Sequence, residues 1–242
     1  MNHNSKGRLY LIPTFLSETA SLDELPEQTI RITKSLSHFV VETEKVARQF
    51  FKKLQITIPQ CDLNIFTHDK HNSSNFDECI GWLQSGIDVG LLSDAGCPAI
   101  ADPGSEFVLL AHNKDIDVIP LVGPSSLILS LMASGMSGQK FSFHGYLSKD
   151  ESTRKDQIKH LEKNAATQNC TQLFIETPFK NQLVLKNMLE VCQADTLIGV
   201  FCNLTSDHAL IKTKTVKDWK SKLPDLQKRP CVFTIYRNGK KN

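Results

Sequence analysis

Residues 89–104 read VGLLSDAGCPAIADPG. An apolar run is broken by SDAGCP (Ser93–Pro98), and a second small-residue turn, ADPG, follows at once. Small residues at such a break let a ligand approach the main chain closely. Asp94 reads either as a ligand contact or as a local turn bond. Asp102 reads as a helix cap, with Pro103 at the first helical position. Three carboxylates are candidates for proton chemistry. Glu42, Glu44 and Glu176 each follow an apolar, strand-like run, so they are expected in one crevice. A carboxylate there can bind ribose hydroxyls, offset a cationic ligand or accept a proton. The plainer reading is a surface carboxylate at a strand end, and no base is assigned among the three.

Two other chemistries are weighed and set aside. Cys97 lies in the SDAGCP turn, but no local signature pairs a histidine with it, so it reads as a small buried side chain rather than a nucleophile. His68 and His71 stand three apart in HDKH, within a polar stretch without a nearby third ligand, so no metal is expected. Neither GxGxxG nor GxxxxGK[ST] occurs, which removes the usual dinucleotide and P-loop phosphate turns.

The elements that must hold these residues follow from hydrophobic periodicity. Short apolar runs at 8–15, 38–43, 63–69, 87–92 and 117–123 predict strands. Between them, 44–54 and 75–86 have helical spacing, as does the segment after Pro26, and GSEFVLLAHNK continues from Pro103. Alternating strand and helix predicts a parallel sheet with helices on both faces. Ligands of such sheets bind beyond the carboxyl ends of the strands, where SDAGCP lies. The second half reads as a helix over 123–135, a strand over 141–147, a charged helix, a strand over 171–177, a helix over 181–192, and strands over 196–205 and 231–237, with a polar segment between the last two. The expected division is residues 1–122, with a parallel sheet, and 123–242, with a mixed sheet.

Composition bounds the rest. The chain has 242 residues, 40% hydrophobic and 22% charged, with a net charge of +2. That is an ordinary globular balance, without a basic field that would by itself indicate nucleic acid. Seven scattered cysteines without a CxxC pair predict reduced thiols. No run is long enough for a membrane helix and no signal peptide is read, so a cytoplasmic protein without membrane contact is expected.

SDAGCPAIADPG, VGPSSLILSLMASG and FSFHGYL occur in that order within residues 93–147. Together they resemble the tetrapyrrole methylase superfamily, and within it the 16S rRNA (cytidine-2′-O)-methyltransferase I family. Weaker echoes are LFIETPFKN and NLT. The resemblance implies a tetrapyrrole-methylase-like α/β fold of two α/β domains with the cofactor cleft between them, S-adenosylmethionine as cofactor, and a homodimer. It implies donor contacts from Ser93, Asp94, Ala95, Gly96, Cys97, Pro98, Ser125 and Ser126, and from Glu176, Thr177, Asn203 and Leu204 in the second half.

The departures lie on the acceptor side. The family's T-P-I-G-N-L turn is IPTFLSET here, its A-E-D-T-R is VETEK, and its P-H-R is PFK, leaving Lys180. Asn203 stands where the family has glutamate, and the family's small C-terminal domain is expected to be absent. The expected function is therefore that of a divergent, shortened S-adenosylmethionine-dependent methyltransferase acting on small-subunit ribosomal RNA at the ribose 2′-oxygen of a cytidine. The alternatives are a small tetrapyrrole-like acceptor, or a non-catalytic S-adenosylmethionine-binding protein. An RNA substrate would need a basic rim, for which Lys45, Arg48, Lys52 and Lys53 share one helix; the same helix also reads as an ordinary solvated face.

Overall fold

The structure, a computed structural model, describes residues 6–68 and 75–238. It divides into two units, Met1–Ser125 and Ser126–Asn242. His71 and the tail from residue 239 lie outside the described residues.

The first unit runs β1 (Leu9–Ile12), α1 (Glu27–Ser35), β2 (His38–Val41), α2 (Glu44–Leu54), β3 (Asn64–Thr67), α3 (Asp77–Gln84), β4 (Val89–Leu92), α4 (Ser105–Asn113) and β5 (Val118–Pro120). Its sheet has the order β3-β2-β4-β1-β5, and every pairing is parallel. Alternation along each strand sends side chains to two cores. Tyr10, Ile12, Phe39, Val41 and Leu92 pack with Phe50, Phe51 and Leu54 of α2. Leu9, Val40, Val89 and Leu91 pack with Leu83 of α3 and Phe107 of α4. Each large side chain fully buried this way stabilises the fold by about 1.5–3 kcal/mol. Gly90 in β4 is required by close approach: a Cβ there would lie 2.7 Å from Ile12 Cδ1 and 2.8 Å from Phe39 Cδ1.

Register fixes what the sheet presents at its end. Leu92 pairs with Ile12 on one side and with Val41 on the other, and Val41 pairs with Thr67. The segments after β1, β2 and β4 therefore leave the sheet at one level. The start of α4 differs from expectation. Gly104, at φ +118°, is its N-cap, and Asp102 and Pro103 lie in the turn before it. Glycine tolerates that left-handed turn, so the helix starts two residues later than an aspartate cap would set it.

The second unit runs α5 (Ser126–Ser134), β6 (Phe141–Tyr146), α6 (Glu151–Gln168), β7 (Thr171–Glu176), α7 (Asn181–Val191), β8 (Leu197–Cys202), β9 (Leu210–Thr215), α8 (Val216–Trp219) and β10 (Cys231–Tyr236). The sheet order is β6-β7-β10-β8-β9, parallel between β6 and β7 and antiparallel elsewhere. The polar segment expected between the last two strands holds β9 and α8. LIKTKT carries two lysines and lies at the sheet edge, where charge is tolerated and the apolar signal is weak.

The expectation of reduced thiols is corrected at one pair. Cys202 and Cys231 lie directly opposite in antiparallel register and form a disulfide, while Cys61, Cys79, Cys97, Cys170 and Cys192 are free. The two are 29 residues apart, and strand pairing brings them together, which a spacing rule cannot read.

Candidate functional site

The β4 loop is folded against the segment after β1. Thr14 and Gly96 exchange main-chain hydrogen bonds, Thr14 N–H to Gly96 O at 2.9 Å and Gly96 N–H to Thr14 O at 3.2 Å. The Thr14 hydroxyl donates to Ser93 O at 3.1 Å. Gly96 sits at φ +75°, and a Cβ there would lie 3.1 Å from Leu16 Cδ2 and 3.6 Å from Pro124 O. Its lack of a side chain therefore serves the packing of three segments, while the Ala95 methyl next to it is exposed.

Asp94 is tied to the segment after β2. Its carboxylate accepts from the Thr43 N–H at 3.1 Å and from the Thr43 hydroxyl at 2.8 Å. Thr43 is the N-cap residue of α2, so a carboxylate from another loop sits at the positive end of that helix.

Cys97 is half-buried, and its thiol donates to Pro124 O at 3.5 Å. Burial raises its pKa, partly opposed by a hydrogen bond from Ser125. A thiol held in its protonated form is a poor nucleophile, in keeping with its reading as a small packed side chain. Among the described residues no group of three His, Cys, Asp or Glu could hold a metal ion. His68 is buried with its ring 4.9 Å from that of Phe76.

A cavity of about 550 Å³ opens beside this loop, between residues 14–18 and α2. Phe15, Leu16, Gln49, Phe50 and Lys53 line it, together with Asp94 and Ala95 of the β4 loop. Its size is within the ~300–1,000 Å³ usual for small-molecule sites. Loop 93–98 carries one carboxylate and no basic side chain. Together with small side chains, that donor set suits a nucleoside bearing a positive sulfonium, so the residues fit S-adenosylmethionine.

Ser93, Asp94, Ala95, Gly96, Cys97, Pro98 and Ser125 thus belong to the first unit; Ser93, Gly96 and Pro98 are buried. Ser126 opens α5 of the second unit. There, Glu176 pairs in register with Cys231, and Cys231 with Cys202, so Glu176–Thr177 and Asn203–Leu204 leave one end of that sheet. Glu176 is buried, and its carboxylate accepts from Thr177 N–H at 2.7 Å. Asn203 is left-handed at φ +49°, donates its N–H to Pro230 O at 3.1 Å, and is followed by buried Leu204.

Of the other carboxylates, Glu42 is half-buried directly after β2, whereas Glu44 is held by Arg48 at 2.7 Å. The residues that sequence reasoning missed are those of the cavity wall, Phe15, Gln49 and Phe50. Phe15 falls in the altered IPTFLSET turn, and Gln49 and Phe50 in a helix read for its apolar spacing and its charges but not as a cavity wall.

No family model matches the chain. It is 30% identical over 211 residues to the ribosomal RNA small subunit methyltransferase I of Bacillus subtilis (strain 168), a match covering 86% of this chain and 68% of that protein. It is 28% identical over 202 residues to the protein of the same name from Synechocystis sp., covering 84% and 68%. A third, from Pseudomonas aeruginosa, matches at 25% over 234 residues, 96% of this chain and 79% of its own. Among solved structures, the methyltransferase CobJ superposes with a TM-score of 0.62 at 18% identity, covering 96% of this chain and 94% of that one, a likeness of fold.

Proposed function

This chain belongs to the ribosomal RNA small subunit methyltransferase I family, and from that premise we propose that it carries the methyl group of S-adenosylmethionine to small-subunit ribosomal RNA, at the ribose 2′-oxygen of a cytidine. The observation that carries this reading is loop 93–98. It lies at the carboxyl end of a parallel strand, is pinned to Thr14 and Thr43, and offers small side chains and one carboxylate.

When bound, S-adenosylmethionine supplies an already activated methyl group. The protein's part is then to hold and align. Ser93, Gly96 and Pro98 keep the loop in shape. Ala95, Cys97 and Ser125, with Asp94 beside them, are proposed as donor contacts. Ser126, Glu176, Thr177, Asn203 and Leu204 are the proposed contacts of the second unit. A hydroxyl acceptor must also lose its proton. Glu44 is a weak candidate for taking it, because Arg48 already pairs with its carboxylate. Glu42 and Glu176 remain the proposed proton acceptors.

The rim expected for RNA is on α2, but its four cations do not act alike. Arg48 is engaged by Glu44 and by Gln60 O at 2.6 Å. Lys45 and Lys52 line a groove with Arg48 and Gln60, open to a phosphate backbone. Lys53 turns instead toward Phe15.

A cytoplasmic location is proposed with the ribosome as substrate; no helix among the described residues is long and apolar enough to cross a membrane. A homodimer is proposed as well, from the family resemblance; Met132, Phe141 and Tyr146 of the second unit are exposed apolar side chains that an interface could bury.

The test is transfer of a labelled methyl group from S-adenosylmethionine to stripped small ribosomal subunits, with the modified nucleoside identified by mass spectrometry. A 2′-O-methylcytidine product supports the reading. Donor binding without transfer to ribosomal RNA overturns it and leaves a small-molecule acceptor or a binding protein.

A further inference from the structure

We propose that the cavity between residues 14–18 and α2 takes the acceptor nucleotide, and that Gln49 and Lys53 determine which one. The inference rests on the ribosomal RNA reading above and names residues that reading does not use.

The cavity lining carries charge of both signs, Asp94 and Glu18 against Lys53. Asp94 and Ala95 belong to the loop assigned to the donor. Lys53 lies with its ammonium 4.7 Å from the centroid of the Phe15 ring and 3.1 Å from Glu18 O. A sulfonium donor is repelled by that ammonium, whereas a phosphate is attracted to it. Both present partners of Lys53 are uncharged acceptors, so a phosphate oxygen would be the stronger one.

Much of the remaining wall is apolar. Phe15 and Phe50 meet edge to face, 5.4 Å between centroids, with Leu16 and Val46 beside them. A base needs such a surface once it leaves its stack. Gln49 lies on the same wall, exposed, and its side-chain amide makes no hydrogen bond among the described residues. An amide offers both donor and acceptor, which can read the edge of a base. A nucleotide seated with its phosphate on Lys53 and its base on this wall shares the cavity with Ala95 of the donor loop. Gln49 also lines the Lys45 and Lys52 groove, so groove and cavity share one residue past which a strand can run.

Cytidine 5′-monophosphate titrated into the isotope-labelled full chain should shift the Gln49 side-chain amide and the Ala95 main-chain resonance to saturation. Inorganic phosphate giving the same shifts would mean an ion site, and would overturn the assignment. In the transfer assay, Gln49→Ala and Lys53→Met should each raise KM for ribosomal subunits by roughly tenfold, the size expected for one charged or well-placed hydrogen bond. KM for S-adenosylmethionine should not change. Gln49 is exposed, so its variant keeps the test valid if Lys53→Met folds poorly. A wild-type chain that methylates subunits while both variants retain its KM overturns the cavity assignment and leaves the proposed function standing. Nucleotide-induced shifts at Gln49 and Ala95 in a chain that methylates no ribosomal RNA support the cavity assignment and defeat the proposed function.

Discussion

The Asp94 carboxylate accepts two hydrogen bonds from Thr43, one from its N–H at 3.1 Å and one from its hydroxyl at 2.8 Å. It joins the loop after β4 to the first turn of α2, and α2 carries the cavity wall. A residue read from its motif as a ligand contact is thus a tie that positions the cavity wall. Thr43→Val keeps the side-chain shape and removes the hydroxyl bond, and should cost about 1 kcal/mol in urea denaturation. Asp94→Ala removes both bonds and should cost about twice that, with KM for RNA rising as α2 is released. If Asp94→Ala changes only donor affinity, the tie to α2 has no functional part.

Gly96 gives a second prediction. Its φ is +75°, and a Cβ added there would stand 3.1 Å from Leu16 Cδ2, so Gly96→Ala strains the backbone and presses on the segment after β1. A loss of about 1–3 kcal/mol is expected, seen as a lower Tm without ligand. An unchanged Tm would show that the loop relaxes freely.

Cys97 tests the thiol chemistry. Burial raises its pKa above the ordinary thiol value, so its thiolate is scarcer than usual at pH 7 and grows only as pH rises through that raised pKa. Alkylation by iodoacetamide should be slower at Cys97 than at exposed Cys61 from pH 7 to 8, read by mass spectrometry. Cys97→Ala should retain methyl transfer at saturating S-adenosylmethionine, with any effect confined to KM for that donor. Rapid labelling of Cys97 at pH 7, or loss of all transfer in the variant, would make it a reactive group after all.

The α2 groove predicts a salt effect. Each phosphate neutralised by Lys45 or Lys52 releases counterions, so the double alanine variant should flatten the slope of log affinity against log salt by about 1–2. Binding of S-adenosylhomocysteine by the same variant should be unchanged. A slope equal to wild type would remove α2 from the RNA path.

Much of the fold is legible locally. The apolar spacing of EKVARQFFKKL predicts α2 over 44–54, where it stands, and VGLL predicts β4, because 3.6- and 2-residue periods are carried by neighbours in the chain. The SDAGCP turn is readable in the same way, since Gly96 meets a local backbone demand at φ +75°, whereas Gly123 of GPSS answers a distant one: a Cβ there would lie 2.4 Å from Pro13 Cβ. What tertiary structure alone decided are relations between distant segments. Register set Ile12, Val41 and Leu92 level, which lets Thr14 and Thr43 reach the β4 loop. Strand pairing joined Cys202 to Cys231. Edge position allowed LIKTKT to be a strand despite its lysines. Packing of α2 beside residues 14–18 turned Lys53 from a surface charge into a cavity wall. Each depends on which strands become neighbours, and that choice is made by burial summed over the whole unit rather than by any one stretch of sequence.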